Sequence, residues 1–345
     1  MSGKHQATVL AQKGGPISIQ ERTTPKPGSG EYLVEVKAVA FNPIDYYQRD
    51  FGLPPINQYP TVLGGDVAGT IAAAGSRVEN PLPQGSRVLA GASAFFHNND
   101  PDYGAFQRYV LVPWQLVTAL PDKMSFEEGA VMPLAVMTAL TAYTCVDIPL
   151  DTRFTAQDKQ GYLVWGASSS VGTYAVQVAK SKGYTVYATA SAKHHDYIKG
   201  LGADHVFAYQ DKDVVDQITS AVKKDDITLT TAQCVVTGSL EPVLAILKAT
   251  KGDGHAKVTH TPVLPPDHPT LENTTIKFNF PPIEQPAQND HYRKCFQEWL
   301  APGLRDGTVV SSPPVQHEGN GLEAIDKAID AMRSGVSCKK IVVTL

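Results

Sequence analysis

The sequence predicts an α/β chain with a second, β-rich domain: a doubly wound parallel sheet preceded by a small barrel-like β domain to which the C-terminus returns. Three observations carry this. Proline and glycine punctuate short alternating segments up to about residue 112, apolar strands alternate with helical spacing from about residue 160 onward, and residues 162–205 read as one βαβ unit. At 345 residues the chain is long for one compact core and comfortable for two. The expected division is 1–125 with 289–345 for the β domain and 126–288 for the α/β domain.

Between Ala7 and Val112, period-two alternation marks strands at Tyr32–Ala40, Ser86–Ala90 and Arg108–Val112, separated by turn-forming residues such as Pro54-Pro55 and Gly64-Gly65. Phe126–Cys145 has helical character, with Ser125 as its N-cap and Glu127 and Glu128 in the first turn. A strand at Tyr162–Trp165 then enters Gly166-Ala167-Ser168-Ser169-Ser170-Val171-Gly172. Beyond it Val171, Tyr174, Ala175, Val178, Ala179 and Lys182 fall on one helical face, Gly183 supplies a stop, and Tyr184–Ala190 is a second buried strand. Weaker strand patterns follow at His205–Ala208, Cys234–Thr237 and Ala256–Thr261, and helical ones at Val214–Val222 and Leu240–Lys248. Residues Leu264–Gln288 are proline-rich with little period and read as a surface loop; Tyr292–Leu300 and Leu322–Arg333 read as helices and Lys340–Leu345 as a last strand.

Composition narrows the class. Hydrophobic content of 42% and charge of 19% are ordinary for a globular enzyme, and a net charge of -4 gives no electrostatic reason for a nucleic-acid or anionic-membrane partner. The first ten residues hold no apolar run of signal-peptide length, and Gly129–Tyr143, the most apolar run, is interrupted by Pro133 and too short to span a bilayer. Cys145, Cys234, Cys295 and Cys338 lie far apart with no C-x-x-C, which suits a reducing compartment and a cytoplasmic protein.

The turn after the first strand of the βαβ unit is the candidate binding element. Unpaired N–H groups opening a helix, with the positive end of its dipole, form a site for a pyrophosphate. Set on Gly172, the pattern G-x-G-x-x-G places Ala167 first and Ser169 second, so a hydroxyl stands where backbone and phosphate must approach closely. Small residues here also serve helix–strand packing in proteins that bind no nucleotide. An NAD site asks for an acid about 20 residues on. The sequence instead offers Ser191, Lys193 and His194, and the first acid, Asp196, falls in the next helix. A hydroxyl donor and a positive charge suit a 2′-phosphate, hence NADPH; Ser191 also reads as a helix N-cap and Lys193 as a solvated lysine.

The order of parts, with Asn42-Pro43-Ile44-Asp45, Leu63-Gly64-Gly65-Asp66-Val67-Ala68-Gly69, Pro133–Ala139, Gly166–Gly172 and Gly202–Tyr209, resembles the medium-chain dehydrogenase/reductase superfamily over essentially the whole chain. Within it the sequence is most similar to the zinc-independent quinone oxidoreductase and enoyl reductase branch, including fungal trans-acting enoyl reductases that partner polyketide synthases. The resemblance implies a Rossmann-type NADPH-binding domain and a GroES-like catalytic domain. It implies reduction, by hydride from NADPH, of the C=C bond of an enone, quinone or enoyl thioester, in a monomer or homodimer. Two alternatives stand beside this: action in trans on a carrier-bound polyketide thioester, and a non-catalytic NADPH-binding protein.

The resemblance also assigns residues. Asn42 and Asp45 lie near the cofactor, Thr138 flanks the nicotinamide, Tyr209 lines the 2′-phosphate and adenine side, and Lys339 matches a basic position near the cofactor; Asp45 also reads as a brace for its loop and Lys339 equally as a surface lysine. Thr138 could equally bond back to its own helix. Tyr47 stands where many relatives place a lysine and could deliver the final proton; Tyr46, Tyr59 and solvent compete for that role, and all three tyrosines equally read as walls of an apolar pocket. Zinc is not expected. Asn42 and Gly65 occupy the first two catalytic ligand positions of zinc-dependent relatives, the third falls near Ala135 or Val136, and Ala92–Tyr103 contains no cysteine. His97 with Asp100 and Asp102 reads as a solvated loop.

Overall fold

A computed structural model describes residues 3–92 and 94–345. The chain divides into two compact units, Met1–Leu134 with Cys295–Leu345, and Ala135–Lys294.

The first unit is built on β-strands. β1 (Lys4–Leu10) and β2 (Ile17–Thr23) form an antiparallel pair. β3 (Glu31–Ala40) is buried along most of its length and pairs antiparallel with both β4 (Asp66–Ala74) and, further on, β6 (Tyr109–Pro113). β5 (Arg87–Gly91) lies on β4 and β7 (Val117–Ala119) on β5. Between β3 and β4 come α1 (Pro43–Tyr46) and a π-helical turn at Tyr47–Phe51 that ends on Gly52 at φ 60°. A π turn widens the helix and is common at functional positions.

The single helix expected over 126–145 is two, α2 (Phe126–Ala130) and α3 (Pro133–Cys145). Pro133 lacks an N–H and crowds the preceding residues, so the break falls there. The expected cap is present: Ser125 Oγ accepts from Glu128 N–H at 3.1 Å while the Glu128 carboxylate accepts from Ser125 N–H at 2.7 Å.

The second unit runs β8 (Gln160–Trp165), α4 (Ser170–Ser181), β9 (Thr185–Ala190), α5 (His195–Gly200), β10 (His205–Ala208), α6 (Val214–Lys224), β11 (Thr228–Cys234), α7 (Leu240–Thr250), β12 (Ala256–His260), β13 (Thr274–Phe278) and α8 (Gln285–Arg293). Its six strands are ordered β10-β9-β8-β11-β12-β13 and all neighbours are parallel. The order reverses between β8 and β11, and in such sheets ligands bind outside the strands' carboxyl ends at that reversal. Leu163, Tyr187, Ile218, Leu229, Leu247 and Val258 form its core. Each such side chain removed from water contributes roughly 1.5–3 kcal/mol.

Two expectations fail in this unit. The strand expected at Cys234–Thr237 lies at Thr228–Cys234, because its threonines, polar by composition, are β-branched and fit a sheet. The expected loop 264–288 contains β13 and the start of α8. β13 is an edge strand, half exposed, so no apolar run announces it.

The chain then enters a second π-helical turn, Lys294–Leu300, followed by α9 (Ala301–Asp306), β14 (Val315–Asn320), α10 (Ile325–Ser334) and β15 (Lys340–Thr344). β14, half exposed and not anticipated, lies parallel on β15, and β15 lies antiparallel on β3, completing a sheet ordered β14-β15-β3-β4-β5-β7 with β6 also on β3. No helix among the described residues is long and apolar enough to cross a membrane.

Candidate active site

The second unit gathers its sequence-expected residues at the carboxyl edge of the sheet. Gly166 leaves β8 at φ 95°, a backbone conformation L side chains rarely adopt, and an added Cβ would meet Val236 at 2.8 Å. Ala167 is buried and its N–H donates to Thr189 O at 2.9 Å, tying the turn to β9. Ser169 caps α4: its Oγ accepts from Gly172 N–H at 3.1 Å and donates to Gly166 O at 2.8 Å. The Ser169 hydroxyl, which the sequence places where backbone and phosphate approach, thus bonds within the turn itself. Ser168, Ser170 and Val171 are half-buried on the turn. The first-turn amides of Ser170 and Val171 have no intrahelical acceptor, which leaves them and the helix dipole to meet an anion.

Ser191 follows β9, Tyr209 follows β10, and these are neighbouring parallel strands, so both residues stand on the same edge as the turn. Gln210 Nε2 donates to Ser191 Oγ at 3.3 Å. Lys193 is exposed, Tyr209 is about half exposed, and burial holds the His194 imidazole below its ordinary pKa. Thr138 lies on α3, where its carbonyl accepts from Asn279 Nδ2 at 2.9 Å.

The first unit holds a buried polar network that sequence reasoning half missed. Asn42 Nδ2 donates to Asp66 Oδ2 at 2.7 Å, and Lys340 Nζ donates to Asn42 Oδ1 at 2.5 Å while lying 3.0 Å from Asp66 Oδ2. Asp66 Oδ1 accepts from Leu134 N–H, in the first turn of α3, at 2.6 Å. Asp66 is 0% and Lys340 2% exposed, so this is a desolvated ion pair with its remaining valences filled. Lys339, the residue singled out from sequence, is exposed one position earlier.

Asp45 accepts from Asn42 N–H at 2.7 Å through Oδ2, but its Oδ1 is buried without a partner. Desolvation raises its pKa from 3.8 to about 7; the Asn42 N–H opposes this, the Asp66 charge adds to it, and the Lys340 charge opposes it. The folded chain therefore keeps this proton where the unfolded chain has lost it. The stability it contributes is full below the ordinary carboxylate range and is lost as pH rises through about 7. Asp45→Asn, which keeps an acceptor for Asn42 N–H, should remove that loss and gain up to about 4 kcal/mol on wild type between pH 4 and 8. Denaturant unfolding across that range checks it, and parallel stability profiles for the two proteins would refute it.

Tyr47 is 44% exposed and its ring lies 4.3 Å, centroid to centroid, from that of Tyr46. Burial and a hydrogen bond to Tyr47 push the Tyr46 phenol up to about 12. Burial also raises Tyr59. Arg49, in the same π turn as Tyr47, contacts Asp50, Asp326 and Asp330 at 2.6–2.8 Å and so fixes the turn against α10.

A catalytic zinc does not fit this donor set. Asn42 is committed to Asp66 and Lys340, Gly65 has no side chain, and no group of three or more His, Cys, Asp or Glu among the described residues could hold a metal ion. His97 stacks on Tyr103 with centroids 3.8 Å apart, Asp100 caps its own turn, and Asp102 pairs with Arg22 at 2.6 Å.

Known proteins agree with this architecture. Residues 28–122 match the family model for the alcohol dehydrogenase GroES-like domain and residues 170–258 that for zinc-binding dehydrogenase. The chain is 55% identical to the trans-enoyl reductase tndF of Aspergillus flavipes over 345 residues, 100% of both proteins. It is 60% identical to the trans-enoyl reductase tazE of Aspergillus terreus over 287 residues, 83% of this chain and 95% of that one. Among solved structures, the CurK enoyl reductase superposes with a TM-score of 0.73 at 21% identity over 99% of both chains. An alcohol dehydrogenase superfamily protein from Novosphingobium aromaticivorans does so with 0.79 at 22% identity, also over 99% of both.

A GroES-like unit joined to a doubly wound nucleotide-type sheet defines an oxidoreductase of the dehydrogenase class. The chain belongs to the medium-chain dehydrogenase/reductase superfamily, and the resemblance and fold expected from sequence both hold. The family implies a nicotinamide cofactor, and the turn fits one: a Cβ on Gly172 would meet Gly166 O at 2.2 Å, so only glycine lets α4 approach the turn this closely.

Proposed function

We propose that the protein is an NADPH-dependent, zinc-independent enoyl reductase that acts in trans on an α,β-unsaturated thioester carried by a partner such as a polyketide synthase carrier domain. The observation that carries this is the 55% identity, over the whole length, to a trans-enoyl reductase, joined to an anion-ready turn on α4. An enone or quinone acceptor is the second reading, favoured only by the small-molecule branch of the family. NADPH, when bound, supplies the hydride.

The chain's own residues supply binding, orientation and a proton. The turn 166–172 with the α4 dipole receives the pyrophosphate, and Ser191 and Lys193 receive the 2′-phosphate. Thr138 orients the carboxamide or the substrate carbonyl, and hydrogen bonds at that carbonyl stabilise the enolate. Tyr47, exposed and accepting a bond from Tyr46, is the proton donor to the α-carbon. No Lewis acid is required, because the conjugated carbonyl delocalises the incoming negative charge.

The test is cofactor consumption with enoyl thioesters, enones and quinones, with and without chelator. We expect turnover of a pantetheine thioester that chelator leaves unchanged. Lys193→Ala should lower the preference for NADPH over NADH about 10-fold, the worth of one screened charge contact of about 1.4 kcal/mol. An unchanged preference overturns the 2′-phosphate assignment. Tight NADPH binding with no turnover of any acceptor favours a non-catalytic protein instead.

A further inference from the structure

We propose that Asn279 is a positioning residue: its side-chain amide fixes Thr138, and with it the stretch of α3 beside the nicotinamide, at the place transfer requires. This deepens the function proposed above and rests on it.

Asn279 follows β13 and is 7% exposed. Its Nδ2 donates to Thr138 O at 2.9 Å and to Thr261 Oγ1 at 3.3 Å, and its N–H donates to His260 O at 2.9 Å. One side chain therefore joins the segments that leave β12 and β13 to a helix 141 residues earlier in sequence. The Thr138 carbonyl lies within the 13-residue α3, where such an oxygen ordinarily serves only the amide four residues on. A second donor from outside adds little to helix formation. It sets the roll and height of the helix at that residue.

A second contact repeats the grip. Cys145 Sγ donates to Phe280 O at 3.0 Å and lies 3.3 Å from Phe280 N. Thr138 and Cys145 are seven residues apart, two helical turns, and so share a face. The segment 279–280 thus clamps one face of α3 at two points, at the carboxyl edge of the sheet where the phosphate turn opens.

α3 also has an anchor independent of Asn279. Thr141 Oγ1 lies 2.9 Å from His291 Nε2 and Thr144 Oγ1 3.2 Å from His291 Nδ1, tying the helix to α8. Loss of the Asn279 amide should leave α3 folded and docked but free to shift. Misplacement on the scale of an ångström costs transfer, not phosphate binding.

The full-length chain with Asn279→Ala, Thr138→Ala and the double substitution tests this. Asn279→Ala should lower kcat about 10-fold or more, with NADPH affinity held within about threefold and a larger isotope effect from C4-deuterated NADPH. The double variant should be no slower than the slower single, because Asn279 acts through Thr138. The fluorescence lifetime of the reduced nicotinamide in the NADPH-saturated protein, with no acceptor present, should shift in both single variants. A kcat within twofold of wild type with an unchanged lifetime overturns the proposal, as do multiplicative losses in the double variant. If no acceptor is reduced even by wild type, the lifetime alone decides: a shift sustains the positioning role while the reaction proposed above falls, and no shift removes both.

Discussion

Replacing Lys340 with methionine should destabilise the protein by about 3–5 kcal/mol, the cost of leaving a buried charge without its partner. The ammonium lies 3.0 Å from Asp66 Oδ2 and donates to Asn42 Oδ1, and both charged groups are almost wholly removed from water. Methionine matches the stem in length, so the loss is electrostatic and not a cavity. Asp66 would keep its bonds from Asn42 Nδ2 and Leu134 N–H, but two dipoles do not replace a full positive charge at low dielectric. Asp66→Asn in the same chain removes the orphaned charge. The double variant should therefore recover part of the loss, and a double-mutant cycle from denaturant unfolding reads the coupling. Lys340 also holds the Asp45 pKa down, so in Lys340→Met the pH at which stability falls away moves above about 7. A loss under about 1 kcal/mol, the range of exposed pairs, would show the network to be solvated.

How much of this was legible is decided residue by residue. The β8–α4–β9 unit announces itself because a 3.6-residue period, a small-residue turn and a glycine stop agree over thirty residues. β11 does not, because its threonines interrupt the apolar run although the strand is central and largely buried, and β13 does not, because it is a half-exposed edge strand. The lysine pair shows the limit most sharply. Lys339 and Lys340 are the same residue type side by side, yet Lys340 opens β15 with its side chain buried while Lys339, just before the strand, is exposed, so a slip of one position exchanges a solvated lysine for the buried one. Asp66 lies inside the Leu63–Gly69 motif, but its partner Lys340 is 274 positions away by residue number. Asn279 had no signal at all: an asparagine among prolines reads as turn, and only the fold brings it to Thr138.

Gly172→Ala should weaken NADPH binding about 100-fold, or about 2.7 kcal/mol. The added Cβ would stand 2.2 Å from Gly166 O and 2.7 Å from Ala167 Cα, and these are backbone atoms that cannot swing aside. Relief requires α4 to retreat from β8 or the turn to open. Either movement breaks the Ser169 cap, whose Oγ spans Gly172 N–H and Gly166 O, and carries the Ser170 and Val171 amides away from the anion they would bind. Val171→Ala is the control. Its half-buried side chain contributes packing but its amide stays in place, so affinity should change by less than about threefold, the worth of a small packing change. Titration with NADPH and with 2′-phospho-ADP-ribose separates the contributions. If the turn grips the pyrophosphate, both ligands weaken together, because both contain it and only one carries the nicotinamide. Weakening of NADPH alone would place the damage at the nicotinamide end, and wild-type affinity for both would mean that the close approach at Gly172 serves only helix–strand packing.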